Sequence, residues 1–264
     1  AARMAGKKDT PGPGPGGVLT SYEDGMSVMT DALATVRGDR VKFISPVQGV
    51  GRDGKRYRAC LEGGEEQEFD FLVLASPAYA QSAMLADLSP GLSKLVGGIA
   101  YPSVAVVCLG YEQRHTGNTM DGFGFLVPSR EKRKILGTVS DSNVFPNRAP
   151  EGHSLLRTMI GGARSSELAL LADERLLDVV QSNLREIMGV TADPVFAKIY
   201  RHQRAIPQSL VGHADRLQSI EQVLDNFPGL VMSGNAFRGV SLNDCVVNAI
   251  AVAEKLDRWA SESK

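Results

Sequence analysis

The sequence has few of the residues that build disulfide frameworks and metal sites. Its 264 residues include three cysteines, Cys60, Cys108 and Cys245, which lie far apart and form no CxxC pair. The four histidines are isolated, with no HxH or HxxxH spacing. This pattern is typical of a reducing compartment and of buried, unpaired thiols. It also predicts that the protein has no metal site.

A strong excess of one charge and long apolar runs are missing as well. The formal net charge is -1 at pH 7, so the chain has no general attraction to polyanions, and nucleic acid is not an expected partner. No apolar run approaches the ~20 residues that span a bilayer, and the N-terminus lacks a signal-peptide pattern. The predicted location is therefore cytoplasmic, with peripheral association at the inner face of the membrane left open.

Glycines near the N-terminus imitate a dinucleotide fingerprint. Gly12, Gly14 and Gly17 satisfy GxGxxG within the run PGPGPGG. The true motif follows a strand and opens a helix, whereas no strand pattern precedes this run. Pro13 and Pro15 also remove backbone N–H groups that a phosphate would need. We therefore interpret the match as coincidental.

Apolar periodicity predicts alternating strands and helices along the rest of the chain. Strand patterns occupy residues 40–44, 57–61, 69–75, 103–111, 123–127, 155–161, 195–200 and 230–233. Helical patterns occupy residues 26–37, 78–88, 173–188, 219–224 and 244–259. The clearest is residues 173–188, whose apolar face comprises Leu176, Leu177, Val180, Leu184 and Ile187. This order predicts a mixed α/β or α+β chain in two parts.

The segment most suggestive of chemistry is LVMSGNAFRGVSLNDCVVNAIAVA, residues 230–253. It reads as a strand, a glycine-containing loop and a helix, which Asn243 or Asp244 could cap. A helix N-terminus presents unpaired N–H groups and a partial positive charge, which suits an anion or developing negative charge. Gly239 would let the backbone approach a ligand closely. A plain strand–turn–helix connection is the alternative interpretation of the same residues.

The run GNAFRGVSLNDC, residues 234–245, resembles the C-terminal flavin-contacting signature of protoporphyrinogen oxidases, within the flavin-containing amine oxidase superfamily. Further motifs of that family follow in the same order, and the resemblance extends from about residue 21 to residue 256. They are Asp24-Gly25-Met26, FLVLASPAYA (71–80), GFGFLVP (122–128), FPNRAP (145–150), Gly161-Gly162 and AIPQ (205–208).

The resemblance implies a fold and a division of the chain. It implies part of an FAD-binding domain of the amine oxidase type, together with a substrate-binding domain that has a mixed or antiparallel sheet and packing helices. On this basis residues 1–20 are a linker, residues 21–80 and 211–264 belong to the FAD-binding domain, and residues 81–210 form the substrate-binding domain.

The resemblance also implies an activity, which is the FAD-dependent oxidation of protoporphyrinogen IX to protoporphyrin IX in haem biosynthesis. Oxygen is the expected acceptor, with hydrogen peroxide formed. The positions that match flavin contacts are Asn235, Val240, Ser241 and Leu242, and Val47 matches a valine whose backbone meets the adenine end of FAD.

For the porphyrinogen substrate, Phe123 matches an aromatic residue that packs on the macrocycle, and Ser103 matches a position flanking the same pocket. Core packing is the alternative role for Phe123. No carboxylate or histidine is assigned as a general base. Arg148, Arg157 and Arg164 could pair with a propionate, although surface solvation explains each of them too.

The sequence departs from the family in places. Ser209 follows AIPQ where relatives usually have tyrosine, and residues 200–202 stand where an aromatic such as tryptophan is common. No dinucleotide-binding βαβ pattern precedes Ser21, so the chain resembles the C-terminal portion of such an enzyme, expected to bind FAD poorly and to be inactive alone. Two alternatives stay open: a coproporphyrinogen III oxidase or another amine oxidase or desaturase relative, and a non-catalytic binding module. The oligomeric state is not predicted.

Overall fold

The computed structural model describes residues 4–5, 19–116 and 122–262. The twelve strands among them are β1 (Met4–Ala5), β2 (Ser21–Tyr22), β3 (Val47–Asp53), β4 (Arg56–Leu61), β5 (Glu66–Phe69), β6 (Leu72–Leu74), β7 (Val104–Glu112), β8 (Gly124–Leu126), β9 (Ile135–Ser140), β10 (His153–Gly161), β11 (Phe196–His202) and β12 (Leu230–Met232). The eight helices are α1 (Ser27–Arg37), α2 (Ala78–Met84), α3 (Pro90–Gly97), α4 (Gln113–Thr116), α5 (Asp141–Val144), α6 (Asp173–Met188), α7 (His213–Leu224) and α8 (Leu242–Glu262). The chain is therefore mixed α/β, as the sequence predicts.

The chain divides into two compact units. The first comprises the described residues of Ala1–Val41 together with Pro102–Ala205. The second comprises Lys42–Tyr101 and the described residues of Ile206–Lys264. Residues 21–41 group with the first unit and residues 81–101 with the second. The assignment of one part to FAD and of the other to substrate stays a prediction. The GxGxxG imitation and most of the predicted linker lie outside the described residues.

A five-stranded antiparallel sheet organises the first unit, in the order β11-β7-β10-β9-β8. Helix α6 covers one of its faces, because its apolar stripe packs into the cluster formed by alternate residues of β7 and β10. Asp173 and Glu174 lie in its first turn and Gly189 ends it in the left-handed conformation. The predicted helix over residues 173–188 is thus confirmed, boundaries included.

Arg148 anchors the N-terminal segment of the first unit. Its guanidinium donates hydrogen bonds to the carbonyl oxygens of Tyr22 (2.9 Å) and Glu23 (2.8 Å) and to the Ser21 hydroxyl (3.0 Å). The same group stacks over the Phe145 ring, 5.7 Å from its centroid. Arg148 is therefore occupied by backbone and side-chain partners, which differs from the surface role that the sequence suggested.

The described residues of the second unit form two small sheets and four helices, and α2, α3 and α7 pack with the sheets around one core. Strands β6 and β12 form a parallel pair, and β3, β4 and β5 form an antiparallel meander. Their common core contains Val50, Tyr57, Leu74, Ala78, Leu85, Leu92, Val96, Ile99, Ile220, Leu230 and Ala236. Paired residues of β6 and β12, such as Leu72 and Leu230, are 158 positions apart in the sequence (230 minus 72), so tertiary packing brings the two strands together.

The structure corrects several local predictions. Residues 40–44 form no strand; Ile44 has a φ of 53° and is fully exposed. The predicted strand 69–75 is two strands, β5 and β6, separated by Asp70 and Phe71. Strand β9 was not predicted, and it completes the sheet by pairing with both β10 and β8.

The cysteines were predicted to be buried, yet all three are free and only partly buried. In the part of the chain that the structure describes, no three His, Cys, Asp or Glu side chains cluster as metal ligands would. Within the same residues, none of the helices combines the length and the apolar character needed to cross a membrane.

Candidate functional site

The candidate site lies where the parallel strands β6 and β12 end. They pair in register, Leu230 opposite Leu72 and Met232 opposite Leu74, and the Ser233 amide extends the ladder by donating to the Leu74 carbonyl at 2.8 Å. Ligands of open parallel sheets bind outside the carboxyl ends of the strands. The turn that follows Ser233 is therefore in the position of a binding loop.

Gly234 has a backbone conformation that favours glycine, and it lies beside the turn that follows β6. Its φ is +115°, which side chains rarely adopt. A Cβ atom here would lie 3.4 Å from the carbonyl oxygen of Ala75 and 3.6 Å from that of Ser76. The two strand-end turns thus form one compact edge.

Side chains fix the remainder of the loop. Ala236 is buried and Asn235 partly so, while the Arg238 guanidinium donates a 2.7 Å hydrogen bond to Glu221 of α7. The Asn248 side-chain amide of α8 donates to the Arg238 carbonyl oxygen. The loop is therefore tied to the helices before and after it.

Helix α8 begins with a capping box formed by Ser241 and Asp244. The Asp244 amide donates to the Ser241 hydroxyl oxygen at 3.1 Å, and Asp244 Oδ2 accepts from the Ser241 amide at 3.1 Å and from its hydroxyl at 2.6 Å. Two N–H groups of the helix start are satisfied reciprocally in this way. Ser241 is thus the cap, rather than Asn243 or Asp244, and the helix begins at Leu242 instead of near residue 244.

The capping box changes which amides can meet a ligand. The Ser241 amide is occupied by Asp244, and these hydrogen bonds from Ser241 lower the pKa of the Asp244 carboxyl. For Val240 and Leu242, no hydrogen-bond acceptor of the amide is found among residues 19–116 and 122–262. Both residues are about half exposed, at 51% and 44%. Two of the three predicted amides are therefore accessible donors at a helix N-terminus, which fits the electron-rich edge of a flavin.

Gly239 lies under the capping box. With φ at +74°, a Cβ atom would come within 2.4 Å of the Asp244 Cγ atom. The position consequently requires glycine both for its backbone conformation and for the space taken by the carboxylate. The role expected from the sequence was close approach of the backbone to a ligand. The packing around Gly239 does not test that role, which stays a prediction.

Val47, the predicted contact of the adenine end, opens β3. It pairs with Leu61 just before an irregularity in the register of β3 and β4. The strand belongs to the meander of the second unit, which is a different sheet from the β6–β12 pair. The irregularity leaves Gln48 out of the pairing, whereas Val47 is paired, and the contact of Val47 with the adenine end stays a prediction.

A cavity of about 210 Å³ lies between α7, β12 and α8. Its lining combines apolar residues of α7 and β12, such as Leu217 and Met232, with Phe237 and Arg238 of the loop. The volume is below the roughly 300–1,000 Å³ of typical ligand pockets. It is therefore too small to hold a dinucleotide.

The two predicted substrate residues both lie in the first unit, in different parts of its sheet. The Phe123 carbonyl accepts the Ser140 amide at 2.9 Å beside β8, whereas Ser103 directly precedes β7. Three strand spacings, about 14 Å, separate β8 from β7. The sheet register also sets Ser103 about 20 Å further along the strands. The structure thus does not bring these two residues together.

Ser103 is nearly buried and its polar groups are engaged. Its hydroxyl donates to the Gln203 carbonyl oxygen at 2.7 Å, and its amide donates to the Ser166 hydroxyl at 2.7 Å. Its carbonyl accepts the Gly162 amide at 2.8 Å. These contacts give Ser103 a structural role in closing the end of the sheet, and its substrate contact stays a prediction.

The sheet face opposite α6 carries apolar and aromatic side chains that the sequence reasoning did not single out. Phe196 and Tyr200 of β11 are 52% and 51% exposed, and they pair with Gly110 and Val106 of β7. Val106 alternates with the core residue Val107 and so points away from α6. The signal available in the sequence was the position of Phe196, Lys198 and Tyr200 at every second residue of FAKIYRH, which places them on one face of a strand.

Comparison with known proteins places this architecture. The family profile described as flavin containing amine oxidoreductase matches residues 5–257. The chain is 30% identical to a chloroplastic protoporphyrinogen oxidase of Nicotiana tabacum, over 93% of this chain and 47% of the relative. It is 27% identical to a coproporphyrinogen III oxidase of Bacillus subtilis (strain 168), over 92% and 53%.

A solved structure agrees with these sequence matches. A protein of Exiguobacterium sp. 255-15, assigned as a protoporphyrinogen oxidase, superposes with a TM-score of 0.79 at 28% identity, over 92% of this chain and 53% of that one. The chain spans about half the length of the curated relatives it matches. It resembles the C-terminal part of such proteins. The profile match over most of its length shows that this chain belongs to the flavin-containing amine oxidoreductase family, whose cofactor is FAD.

Proposed function

We propose that this chain supplies the flavin-ring contacts of an enzyme that oxidises protoporphyrinogen IX to protoporphyrin IX. The observation that carries the proposal is the turn from β12 to α8, which leaves the amides of Val240 and Leu242 accessible at the positive end of a 21-residue helix. The relatives named protoporphyrinogen oxidase support the choice of substrate.

Bound FAD would supply the redox chemistry, and the chain would position and tune it. The amides of Val240 and Leu242 would stabilise negative charge at the pyrimidine edge of the ring, with the α8 dipole adding to this effect. Asn235 would contact the ring, and the Val47 backbone would meet the adenine end. The substrate loses six electrons and six protons in three two-electron steps, each coupled to reduction of one oxygen molecule to hydrogen peroxide.

The substrate would pack against the open face of the five-stranded sheet. Phe196 and Tyr200 offer aromatic surface there to a flat, largely apolar tetrapyrrole. Phe123 continues the β8 register opposite Ser140, on the α6 side of the sheet, and its substrate contact stays a prediction. Arg157 pairs with Cys108 of β7 and so lies on the open face, where its guanidinium donates a 2.8 Å hydrogen bond to Asp141. It is a charged group within reach of a propionate there.

Coproporphyrinogen III is the second candidate substrate, since one relative is named for it. It carries four propionates, whereas protoporphyrinogen IX carries two propionates and two vinyl groups. The open sheet face carries Arg157 and Lys198, both opposite Cys108, beside its aromatic side chains. Two cations match the two propionates of protoporphyrinogen IX better than the four of coproporphyrinogen III, because unpaired buried carboxylates are costly. We therefore favour protoporphyrinogen IX.

The flavin part is tested by fluorescence titration of the purified chain with FAD. We expect weak binding, since half of the length of the relatives is not included. Riboflavin should displace FAD better than ADP does, because three of the four proposed contacts, Asn235, Val240 and Leu242, are at the ring. Displacement by ADP alone would overturn the assignment of the loop, and tight stoichiometric binding would refute the expected weakness.

The substrate part is tested with the two oxidised porphyrins, whose fluorescence changes on binding. Protoporphyrin IX should bind more tightly than coproporphyrin III, and Phe196→Ala should weaken binding several-fold, because Phe196 lies on the open face. Phe43→Ala is the matched control, because Phe43 is 72% exposed and belongs to the second unit. Equal loss in both variants, or tighter binding of coproporphyrin III, would contradict the proposal.

A further inference from the structure

Gln81 of α2 links the two strand-end turns of the second unit. It is fully buried, and its side-chain nitrogen donates to the Ser76 carbonyl oxygen at 2.6 Å and to the Ser233 carbonyl oxygen at 2.9 Å. Ser76 follows β6 and Ser233 follows β12. One side chain thus joins turns that are more than a hundred residues apart in the sequence.

The orientation of this amide is determined by its partners. A flipped amide would put its oxygen against two carbonyl oxygens, which are acceptors only. In the observed orientation both N–H bonds are used, and Oε1 is buried without a hydrogen-bond partner among the described residues. An unsatisfied buried acceptor costs free energy, whereas a leucine would fill a similar volume without that cost. The two hydrogen bonds donated by the side-chain nitrogen therefore explain why this position holds glutamine.

The bonds act on the residue where the candidate loop begins. Gly234 follows Ser233 directly, and it is a neighbour of the β6 turn, since a Cβ atom at Gly234 would be in ordinary van der Waals contact with the carbonyl oxygens of Ala75 and Ser76. The neighbouring end of α2 is fixed as well, because the Ala78 amide donates to the Tyr101 hydroxyl at 3.0 Å. Movement of the β6 turn would consequently displace the loop that leads to Val240 and Leu242.

We propose that Gln81 is a positioning residue, which holds the flavin-contacting loop in register with the turn after β6 through its two donated hydrogen bonds. The flavin contact rests on the proposed function above. The joining of the two turns rests on the hydrogen bonds alone, so the two ideas can fail separately.

The decisive variant is Gln81→Glu, which keeps the shape and removes both donors at neutral pH. Hydrogen–deuterium exchange of the hydrogen-bonded amides of Ser233, Phe237 and Ser241 should rise at least tenfold at pH 7, with β10 of the first unit unchanged. Burial beside two carbonyl oxygens raises the pKa of the new carboxyl above about 4.3. The protonated carboxyl donates one hydrogen bond. The exchange rates of Gln81→Glu and of the unsubstituted chain, compared at the same pH, should therefore differ less near pH 5 than at pH 7. Tyr101 stays neutral over this range because burial raises its pKa.

Two further variants complete the test. Gln81→Leu removes both hydrogen bonds without adding charge, so exchange of the same loop amides should rise at every pH. This variant keeps the proposal testable if Gln81→Glu unfolds the second unit. Gln113→Glu is the matched control, since Gln113 is an exposed glutamine of the first unit that also donates to a carbonyl oxygen. Unchanged loop exchange in Gln81→Leu, or a pH-independent effect in a folded Gln81→Glu, would overturn the proposal.

Flavin titration separates the proposed flavin contact from the proposed linking role of Gln81. The affinity for FAD should fall several-fold in Gln81→Glu at pH 7 and recover towards pH 5. If the unsubstituted chain binds no flavin while the exchange results hold, the proposed function fails and the linking role of Gln81 stands. If flavin binds and Gln81→Glu changes neither affinity nor exchange, the positioning role fails.

Discussion

The Tyr57 hydroxyl donates a 2.9 Å hydrogen bond to the carbonyl oxygen of Pro228, 171 residues further along the chain. Tyr57 is fully buried. The Arg52 guanidinium lies 5.6 Å from its ring centroid and donates to the Asn226 carbonyl oxygen at 3.0 Å. The β3–β4 ribbon therefore holds the turn that leads into β12 and the candidate loop.

Tyr57→Phe should lower the free energy of unfolding of the second unit by about 1–2 kcal/mol, because the Pro228 carbonyl loses its partner inside the protein. Urea unfolding followed by fluorescence of the single tryptophan measures this, since Trp259 stacks on Phe71 in the same unit. Tyr200→Phe, at a half-exposed site, should change stability by less than about 0.5 kcal/mol. Equal effects of both variants would contradict the role of the buried bond.

Gly239→Ala should destabilise the helix start and weaken FAD binding. The alanine Cβ would meet the Asp244 carboxylate at a φ of +74°, and strain of this kind costs about 1–3 kcal/mol. Thermal unfolding and flavin titration provide the measurements. Gly91→Ala is the control, because this exposed helical position has no other atom within 4 Å of the methyl group that the substitution adds. It should instead stabilise the chain by roughly 0.5–1 kcal/mol.

The order of the α8 N-terminus should depend on acid pH through Asp244. Its pKa is lowered by hydrogen bonds from Ser241, so the folded state favours the carboxylate. The stabilisation is complete above the ordinary value of 3.8 and is lost as pH falls through the lowered folded value. Amide exchange of residues 241–245 between pH 6 and pH 2 should show this loss relative to β10. In Asp244→Asn the dependence should disappear, and its persistence would assign it to another group.

The buried hydroxyls of Thr138 and Thr158 lie 2.9 Å apart on neighbouring strands. Thr158→Val should cost about 1–3 kcal/mol, because the Thr138 hydroxyl is left without that partner in the core. Replacing both threonines by valine should be close to neutral, since no polar group is then stranded. A double-mutant cycle monitored by exchange of β10 amides tests this, and strictly additive single effects would count against the pair.

Helix α8 exposes apolar side chains that should drive self-association. Leu242, Val246 and Ile250 recur every four residues and are 44%, 47% and 56% exposed. Val246→Lys combined with Ile250→Glu should reduce concentration-dependent association in sedimentation velocity and leave stability within about 0.5 kcal/mol. Val252 lines the cavity beside α7, and Val252→Lys should destabilise the unit. Undiminished association in the double variant would point to another surface.

Prediction from the sequence succeeded where one segment carries its own pattern. Helix α6 has an amphipathic stripe, acidic residues in its first turn and a glycine after its last, and its boundaries were predicted correctly. Prediction failed where the structure of a segment depends on the strands that pair with it. Strand β9 contains a threonine and a glycine among its six residues, and it is a strand because β10 and β8 pair with both of its edges.

For the candidate site, the sequence pointed to the loop between β12 and α8 but not to its internal bonds. The spacing of Ser241 and Asp244 is that of a capping box, and it could have been used to predict the true cap. Gln81 carried no comparable signal, because its two partners belong to turns far apart in the chain.

What the sequence determined by itself is local: the periodicity of α6, the strand–loop–helix order after Gly229, and a series of short motifs that identifies the family. Tertiary structure decided the rest. It joined β6 to β12, occupied the Ser241 amide while leaving those of Val240 and Leu242 accessible, and separated Phe123 from Ser103. The physical reason is that hydrogen bonds and close packing between distant segments depend on which surfaces meet, and a linear pattern does not record that.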